Sequence, residues 1–82
     1  MAIIRMRTYV KIWVDNNSPK EYIFQPGSRP QWTAIEGFEV VVGNAAGIEF
    51  DFNGERKGNL GDLGKVVRIA FPDTFRSPFH ED

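Results

Sequence analysis

The sequence contains no cysteine and only one histidine among its 82 residues. Disulfide bonds and thiolate metal centres are therefore excluded, and a structural zinc site has too few ligands. The single histidine, His80, lies close to the end of the chain, where a terminal segment does not hold catalytic partners rigidly. We expect His80 to be a solvated tail residue, and we predict no metal and no other cofactor.

A large charge of either sign is also missing. Ten Lys and Arg residues against eleven Asp and Glu residues give a net charge of −1. Proteins that bind nucleic acid by neutralising phosphates are usually basic. A nucleic-acid partner is therefore not expected.

Long apolar runs are absent as well. No run approaches the roughly 20 residues that a membrane-spanning helix needs. Residues 1–8 also lack the continuous apolar stretch of a signal peptide. We expect a soluble domain, and any anchor or export signal of the natural protein would lie outside this sequence.

No segment combines the start, period and stop signals of a helix. Short alternating runs bounded by turn residues are found instead, at a spacing typical of all-β proteins. The sequence predicts an all-β fold, a small antiparallel β-sandwich of about six or seven strands, with a partly open β-barrel as the alternative. Residues 1–72 would form this single domain. Residues 73–82 would form a polar, flexible tail with a loosely docked Phe75 or Phe79.

The clearest strand pattern lies in residues 38–54. Residues 38–42 and 48–52 are both strand-like runs, and in residues 48–52 apolar and acidic side chains alternate strictly, so that one face is suited to a core. We interpret them as a central hairpin joined by residues 43–47. The inward-facing residues would be Phe38, Val40, Val42, Ile48, Phe50 and Phe52.

Further strands are expected on both sides of this hairpin. The runs are residues 3–14 as one long strand, 21–25, a weaker run at 31–35, and 65–71 with Val67, Ile69 and Phe71 inward. Glycine and asparagine residues mark the reversals between strands, because both accept left-handed backbone conformations. The predicted turn residues are Gly27 after Pro26, Gly43 and Asn44 in the central connection, and Asn53 and Gly54 after the second central strand.

One face of the first predicted strand carries aromatic and basic side chains. Tyr9, Lys11 and Trp13 share this face by alternation, and an exposed aromatic-basic patch is typical of a binding surface. Trp32 is a second aromatic candidate. Two other interpretations remain open: the C-terminal tail covers this face, or Trp13 packs at a sheet edge.

Three carboxylates are also expected on outward-facing positions. Glu49 and Asp51 share a strand face, and Glu39 would lie on the neighbouring strand. Clustered carboxylates can bind a hard cation such as calcium. Strand alternation alone also produces such a face, so we favour a solvated surface whose carboxylates pair with cations such as Arg5 and Arg68.

The central stretch, with the residues that follow it, resembles the C-terminal domain of RodZ-type bacterial cell-shape proteins. The similarity rests on the Gly43-Asn44-Ala45 run, the alternating residues that end in Asn53-Gly54, Leu60-Gly61, and the closing strand of residues 66–71. The aromatic strand at residues 9–12 and the turn at Pro26-Gly27 also correspond, so that the resemblance covers residues 8–72. Tyr9 stands where the family usually has Trp, and residues 16–19 replace an Asp- and Gly-rich turn.

The resemblance implies a non-enzymatic role. Proteins of this family look like membrane-anchored adaptors whose C-terminal domain lies on the extracytoplasmic, periplasmic side of the bacterial inner membrane. That domain would contact protein partners of the cell-wall elongation machinery. Cytoskeletal binding belongs to a cytoplasmic helix-turn-helix domain, which this sequence does not contain.

Two functions therefore follow from the sequence. The first is a protein-interaction domain that docks through Tyr9, Lys11 and Trp13 or through a free sheet edge. The alternative is a carbohydrate- or peptidoglycan-binding module in which Trp13 and Trp32 stack on sugar rings. No nucleophile–base pair or close pair of acids is recognisable, so an enzyme is not predicted.

Overall fold

Two antiparallel sheets pack face to face in the computed structural model, which describes residues 1–58, 60–72 and 74–76. One sheet has three strands in the order β1-β5-β6, and the other has four in the order β3-β2-β4-β7. The strands are β1 (Ala2–Ile4), β2 (Thr8–Val14), β3 (Lys20–Phe24), β4 (Phe38–Val42), β5 (Ile48–Phe52), β6 (Glu55–Lys57) and β7 (Val67–Phe71). The predicted β-sandwich is confirmed, and the described strands form no closed barrel.

The single long strand predicted over residues 3–14 is wrong. The chain bends between β1 and β2, where the N–H groups of Arg5 and Met6 both donate to the carbonyl of Gly47, at 2.7 and 3.2 Å. This bend carries the chain from the three-stranded sheet to the four-stranded sheet, where β2 pairs with β3 and β4. The apolar alternation continues through the bend, so the pattern gave no sign of it.

The predicted central hairpin is also wrong. β4 and β5 are sound strands, but they belong to different sheets and do not pair. Their connection crosses the sandwich through a short 3-10 turn, Ala45–Gly47. Asn44 fixes the crossover, because its N–H donates to Thr8 Oγ1 at 3.1 Å and its Oδ1 accepts from the N–H of Gly64 at 2.9 Å. Gly43 and Asn44 are thus crossover residues rather than hairpin residues.

The other predicted turn residues are confirmed. Gly27 has a φ of 93°, and the N–H of Ser28 donates to the carbonyl of Gln25 at 3.2 Å, as a type II turn at Pro26-Gly27 requires. Asn53 and Gly54 both adopt left-handed φ angles, 52° and 82°, between β5 and β6. Such a pair is characteristic of the type I′ hairpin turn.

The weak strand predicted at residues 31–35 does not form. The preceding residues run beside β1 instead, where the N–H of Ala2 donates to Pro30 at 2.8 Å and the N–H of Ile4 donates to Ser28 at 3.1 Å. The last strand is shorter than predicted, Val67–Phe71, but its residues alternate as expected. Phe71 is buried, and Val67 and Ile69 pack against the core.

The core lies between the two sheets and is rich in aromatic rings. Phe71 joins the layers, since its ring centroid lies 5.3 Å from that of Phe50 and 5.3 Å from that of Phe52. All six central positions predicted to face inward contribute to the core, although Phe52 is only half-buried. The buried apolar cluster is Ala2, Ile4, Val10, Ile12, Phe38, Val40, Val42, Ile48, Phe50 and Phe71.

Residues 74–76, the described part of the predicted tail, return to the domain. Phe75 lies against Gly37 so closely that a Cβ atom on Gly37 would stand 2.8 Å from Cγ of the ring. Arg76 reaches Glu39 of β4, with Nη1 at 3.8 Å from Oε2. His80 and Phe79 lie outside the described residues, and the boundary predicted after residue 72 stays a prediction.

Asp15 organises the loop that precedes β4. Its carboxylate accepts hydrogen bonds from the N–H groups of Ile35, Glu36 and Gly37, at 2.9, 2.6 and 3.0 Å. These bonds, with Ile35 contributing most, hold the pKa of Asp15 below its usual value of 3.8. A hydrogen-bonded charge thus fixes the loop, because ionised Asp15 is the form that these donors favour.

Replacing Asp15 with asparagine should lower stability in a pH-dependent manner. Asparagine tolerates the left-handed φ of 52° at this position, so that the variant removes the charge without adding backbone strain. Since the folded-state pKa is depressed, the advantage of the wild type is present above pH 3.8 and is lost as pH falls through the folded value. Urea unfolding of both proteins between pH 2.5 and pH 7 measures this difference. An equal gap in unfolding free energy across that range would contradict the assignment.

Candidate functional site

The aromatic-basic surface predicted on the first strand lies on the solvent side of the four-stranded sheet. We call this surface the outer face, and alternation along β2 places Tyr9, Lys11 and Trp13 on it, as predicted. Strand pairing sets Trp13 opposite Glu39 of β4, and Lys11 between Glu21 of β3 and Val41 of β4. The outer face comprises Tyr9, Lys11, Trp13, Glu21, Ile23, Glu39, Val41, Arg68 and Ala70.

Trp13 is fully buried, with 0% of its surface exposed, so the prediction that it is displayed to water is wrong. Two cations cover its ring: Lys11 Nζ lies 5.3 Å and Arg68 Cζ 5.6 Å from the ring centroid. Cations attract the negative face of the indole, and their long aliphatic stems shield apolar surface. Trp13 is therefore a packing residue of the outer face and is not available for stacking on a ligand.

Glu39 is also fully buried beside Trp13. Arg68 approaches its Oε2 at 3.6 Å from β7, and Arg76 approaches the same atom at 3.8 Å from the segment that follows β7. A buried carboxylate needs such partners, because an uncompensated charge is costly away from water. Where Trp13 and Glu39 lie, the structure therefore supports the interpretation in which the C-terminal segment, here residues 74–76, covers the outer face.

The three carboxylates considered as a cluster are not brought together. Glu39 lies in the four-stranded sheet, whereas Glu49 and Asp51 lie on β5 in the other sheet. Glu49 pairs with Arg5, at 2.6 Å between Oε2 and Nη2, and Asp51 Oδ1 accepts from the N–H of Gly54 at 3.0 Å. Within residues 1–58, 60–72 and 74–76, no three His, Cys, Asp or Glu side chains are grouped as metal ligands. Pairing with cations is confirmed for Glu39 and Glu49, whereas Asp51 holds a turn, and the expectation of a solvated surface is wrong for Glu39, which is fully buried.

The opposite end of the outer face remains open to water. Tyr9 is half-buried, and its hydroxyl donates to the carboxylate of Glu21 on β3. Beside it, Ile23 exposes 60% of its surface. A shallow recess between Tyr9, Ile23, Arg7 and Asn44 adjoins them. This end of the outer face combines aromatic, aliphatic and basic chemistry.

Trp32 lies on the other side of the four-stranded sheet. Its ring packs against Tyr22 and Phe24 of β3, with centroids 6.1 and 6.0 Å away. It is half-buried, packs against the core and covers the inner side of the sheet near the β3 edge. The structure therefore separates Trp32 from Tyr9 and Lys11, and these candidates do not form one surface.

A groove runs between β3 and the segment that carries Trp32. We call it the edge groove; its volume is about 620 Å³, and its apolar wall includes Val14, Tyr22 and Trp32. Its polar rim includes Asn17 and Gln31. The sequence pattern does not indicate this groove, because it predicts a strand at residues 31–35, whereas Trp32 packs over β3.

The sequence does not single out Ile23, for a simpler reason. Tyr22 and Phe24 pack against the core, and alternation alone places Ile23 between them on the outer face. The signal was present, but an isolated exposed isoleucine is ordinary on protein surfaces. Only the neighbouring Tyr9 and the open edge of β3 make it notable.

Comparison with known proteins identifies a family. The family model of the RodZ C-terminal domain matches residues 4–70, which include the outer face and most of both sheets. No curated protein and no solved structure matches the chain. No helix in the described part of the chain is long and apolar enough to cross a membrane.

Proposed function

Because the chain belongs to the RodZ C-terminal domain family, we propose that it is a non-catalytic protein-interaction domain of a cell-shape adaptor. Its place would be the extracytoplasmic, periplasmic side of the bacterial inner membrane, to which the parent protein is anchored. Its partners would be proteins of the cell-wall elongation machinery. A docking role needs a surface rather than a reactive centre, and the open end of the outer face supplies one.

The observation that carries this proposal is the exposed Ile23 beside Tyr9. Ile23 is 60% exposed, and Tyr9 presents an aromatic ring whose hydroxyl is held by Glu21. Aromatic and aliphatic anchors next to a basic residue, here Arg7, are typical of interaction hot spots. Lys11 contributes less directly than expected, because it lies over the ring of Trp13.

We expect the double replacement of Tyr9 and Ile23 by serine to abolish partner binding. Both substitutions remove apolar contact area from the open end of the outer face while leaving the buried core unchanged. The measurements are cell shape and co-purification of elongation proteins with the natural protein that carries this domain, expressed in its host.

The matched control is Ile35→Ser. Ile35 is 96% exposed and lies beside Asp15, at the opposite end of β2 from Tyr9. The control should retain normal shape and partner binding. If the Tyr9 and Ile23 double variant folds and also retains both, the proposed surface is wrong.

A carbohydrate-binding role is the second candidate, and the edge groove is the observation that favours it. With Trp13 buried, only Trp32 is left to stack on a sugar ring, and the amides of Asn17 and Gln31 on the groove rim could hydrogen-bond hydroxyl groups. Titration with soluble peptidoglycan fragments distinguishes the two candidates. Amide shifts around Trp32 would favour the sugar, whereas unchanged spectra at saturating fragment would exclude it.

A further inference from the structure

The strand β3 forms one edge of the four-stranded sheet, and its outward backbone groups can be identified. The carbonyl of Tyr9 accepts from the N–H of Gly43 at 2.8 Å, so the backbone of Tyr9 faces β4. Backbone direction alternates along a strand, and the neighbouring residues of β2 therefore face β3. Their partners in β3 are Lys20, Tyr22 and Phe24. The peptide groups of Glu21 and Ile23 consequently point away from β2, toward the open edge.

Residues 22–24 of this edge carry neither a charge nor a proline, whereas Lys20 and Glu21 before them are charged. Residues 20–24 pair in register with β2 without a bulge, and Ile23 is exposed. An unblocked edge with unpaired N–H and C=O groups is a template for another strand. The strands β1 and β7 differ from β3 in their surroundings. Residues 28–30 run along β1, and the chain after β7 turns back to bring Arg76 to Glu39.

The edge groove adds specificity to the open edge. A strand that paired with β3 would direct alternate side chains toward the inner side of the sheet, beside Tyr22 and Trp32. Apolar side chains would pack there against Val14, Tyr22 and Trp32, and polar residues such as Lys20 and Gln31 line the rest of the groove. The intervening side chains would lie on the outer face, where Glu21 favours a basic partner and Ile23 tolerates a hydroxyl or aliphatic one.

We propose that β3 is a docking edge to which an extended segment of a protein partner adds as a fifth strand. The segment alternates apolar residues, which enter the edge groove, with polar or basic residues on the outer face. This inference rests on the proposed function and specifies how the partner is held. Main-chain hydrogen bonds to Glu21 and Ile23 provide affinity, and the groove provides selection.

A synthetic peptide of eight residues, in which valine alternates with lysine and threonine, is the probe. Binding is measured by amide chemical shifts and by hydrogen exchange of the domain. We expect the amides of Glu21 and Ile23 to become at least tenfold more protected when the peptide is bound. The same peptide with every backbone amide methylated cannot donate to the edge and should not bind. Absence of binding by the unmodified peptide at millimolar concentration would overturn the proposal.

Two substitutions at one position separate backbone pairing from side-chain contact. Ile23→Pro removes an N–H that points outward, so the pairing of β3 with β2 is preserved and the domain folds, as proline is tolerated on edge strands. Ile23→Thr keeps the N–H and the strand propensity. We expect peptide affinity to fall at least tenfold for I23P and less than threefold for I23T. Equal affinities for the two folded variants would overturn strand addition.

Other occupants of the edge give distinct results. Protection of Glu21 and Ile23 that rises with protein concentration, without peptide, would assign the edge to a second copy of this chain. If the peptide binds without protecting these amides and peptidoglycan fragments displace it, the groove would be assigned to a sugar. Either result would overturn the proposal.

The inference and the proposed function can fail separately. If the natural proteins with I23P and with I23T bind elongation proteins equally well, strand addition is wrong and the docking role stands. If deletion of the whole domain leaves shape and co-purification unchanged, the docking role itself is wrong.

Discussion

Replacing Trp13 with alanine should lower the free energy of unfolding by about 3–5 kcal/mol, the usual range for removing a buried Trp or Phe side chain. The indole is 0% exposed and lies beneath Lys11 and Arg68. Its loss would leave a cavity on the outer face and would remove the surface on which both cations rest. Urea unfolding at neutral pH, followed by circular dichroism, measures the change.

The size of this effect matters because small domains have little stability to lose. Typical values are about 5–15 kcal/mol, and a domain of this length lies toward the lower end. Trp32→Ala is the matched control. Because Trp32 is only half-buried, this substitution should lower the free energy of unfolding by less. A loss below about 1 kcal/mol for Trp13→Ala would mean that the indole is solvent-exposed, as surface substitutions usually are nearly neutral.

Replacing Phe50 with alanine should also cost about 3–5 kcal/mol. Phe50 is 6% exposed, lies opposite Ala2 in the three-stranded sheet, and contacts the ring of Phe71 from the other sheet. Its removal would open a void between the two layers, which close-packed neighbours fill only in part. The measurement is again chemical denaturation, with the midpoint and the slope analysed separately.

Phe50→Leu serves as the control for volume. Leucine retains most of the apolar area and should restore much of the lost stability. If the alanine and leucine variants were equally stable, the ring of Phe50 would not be filling the space between the sheets. Such a result would contradict the core described above.

The strand pattern predicted the fold class but not the pairing of strands. The patterns of residues 38–42 and 48–52 correctly predicted two strands that contribute to the core. It could not say that Gly43–Gly47 would cross between sheets, because a hairpin and a crossover bury the same residues. The bend at Arg5 and Met6 was hidden for the same reason. Pairing depends on contacts between residues far apart in the chain.

The candidate site shows a similar limit. The pattern placed Tyr9, Lys11 and Trp13 on one face, but a face is not the same as an exposed surface. Besides Lys11, Trp13 is covered by Arg68, which comes from the far end of the chain, as does Arg76 on the adjacent Glu39. No local feature around Trp13 indicates these partners. Exposure here is decided by tertiary structure.

The bend after β1 and the crossover after β4 have a consequence for how this protein folds. The chain starts in one sheet, moves to the other, and returns to the first with β5, so that neither sheet is made from a continuous half of the sequence. No single cut in a loop would divide the chain into two fragments that each form one sheet. Both sheets depend on pairings between strands that are distant in the chain, and such pairings make folding slow compared with helical proteins of this length.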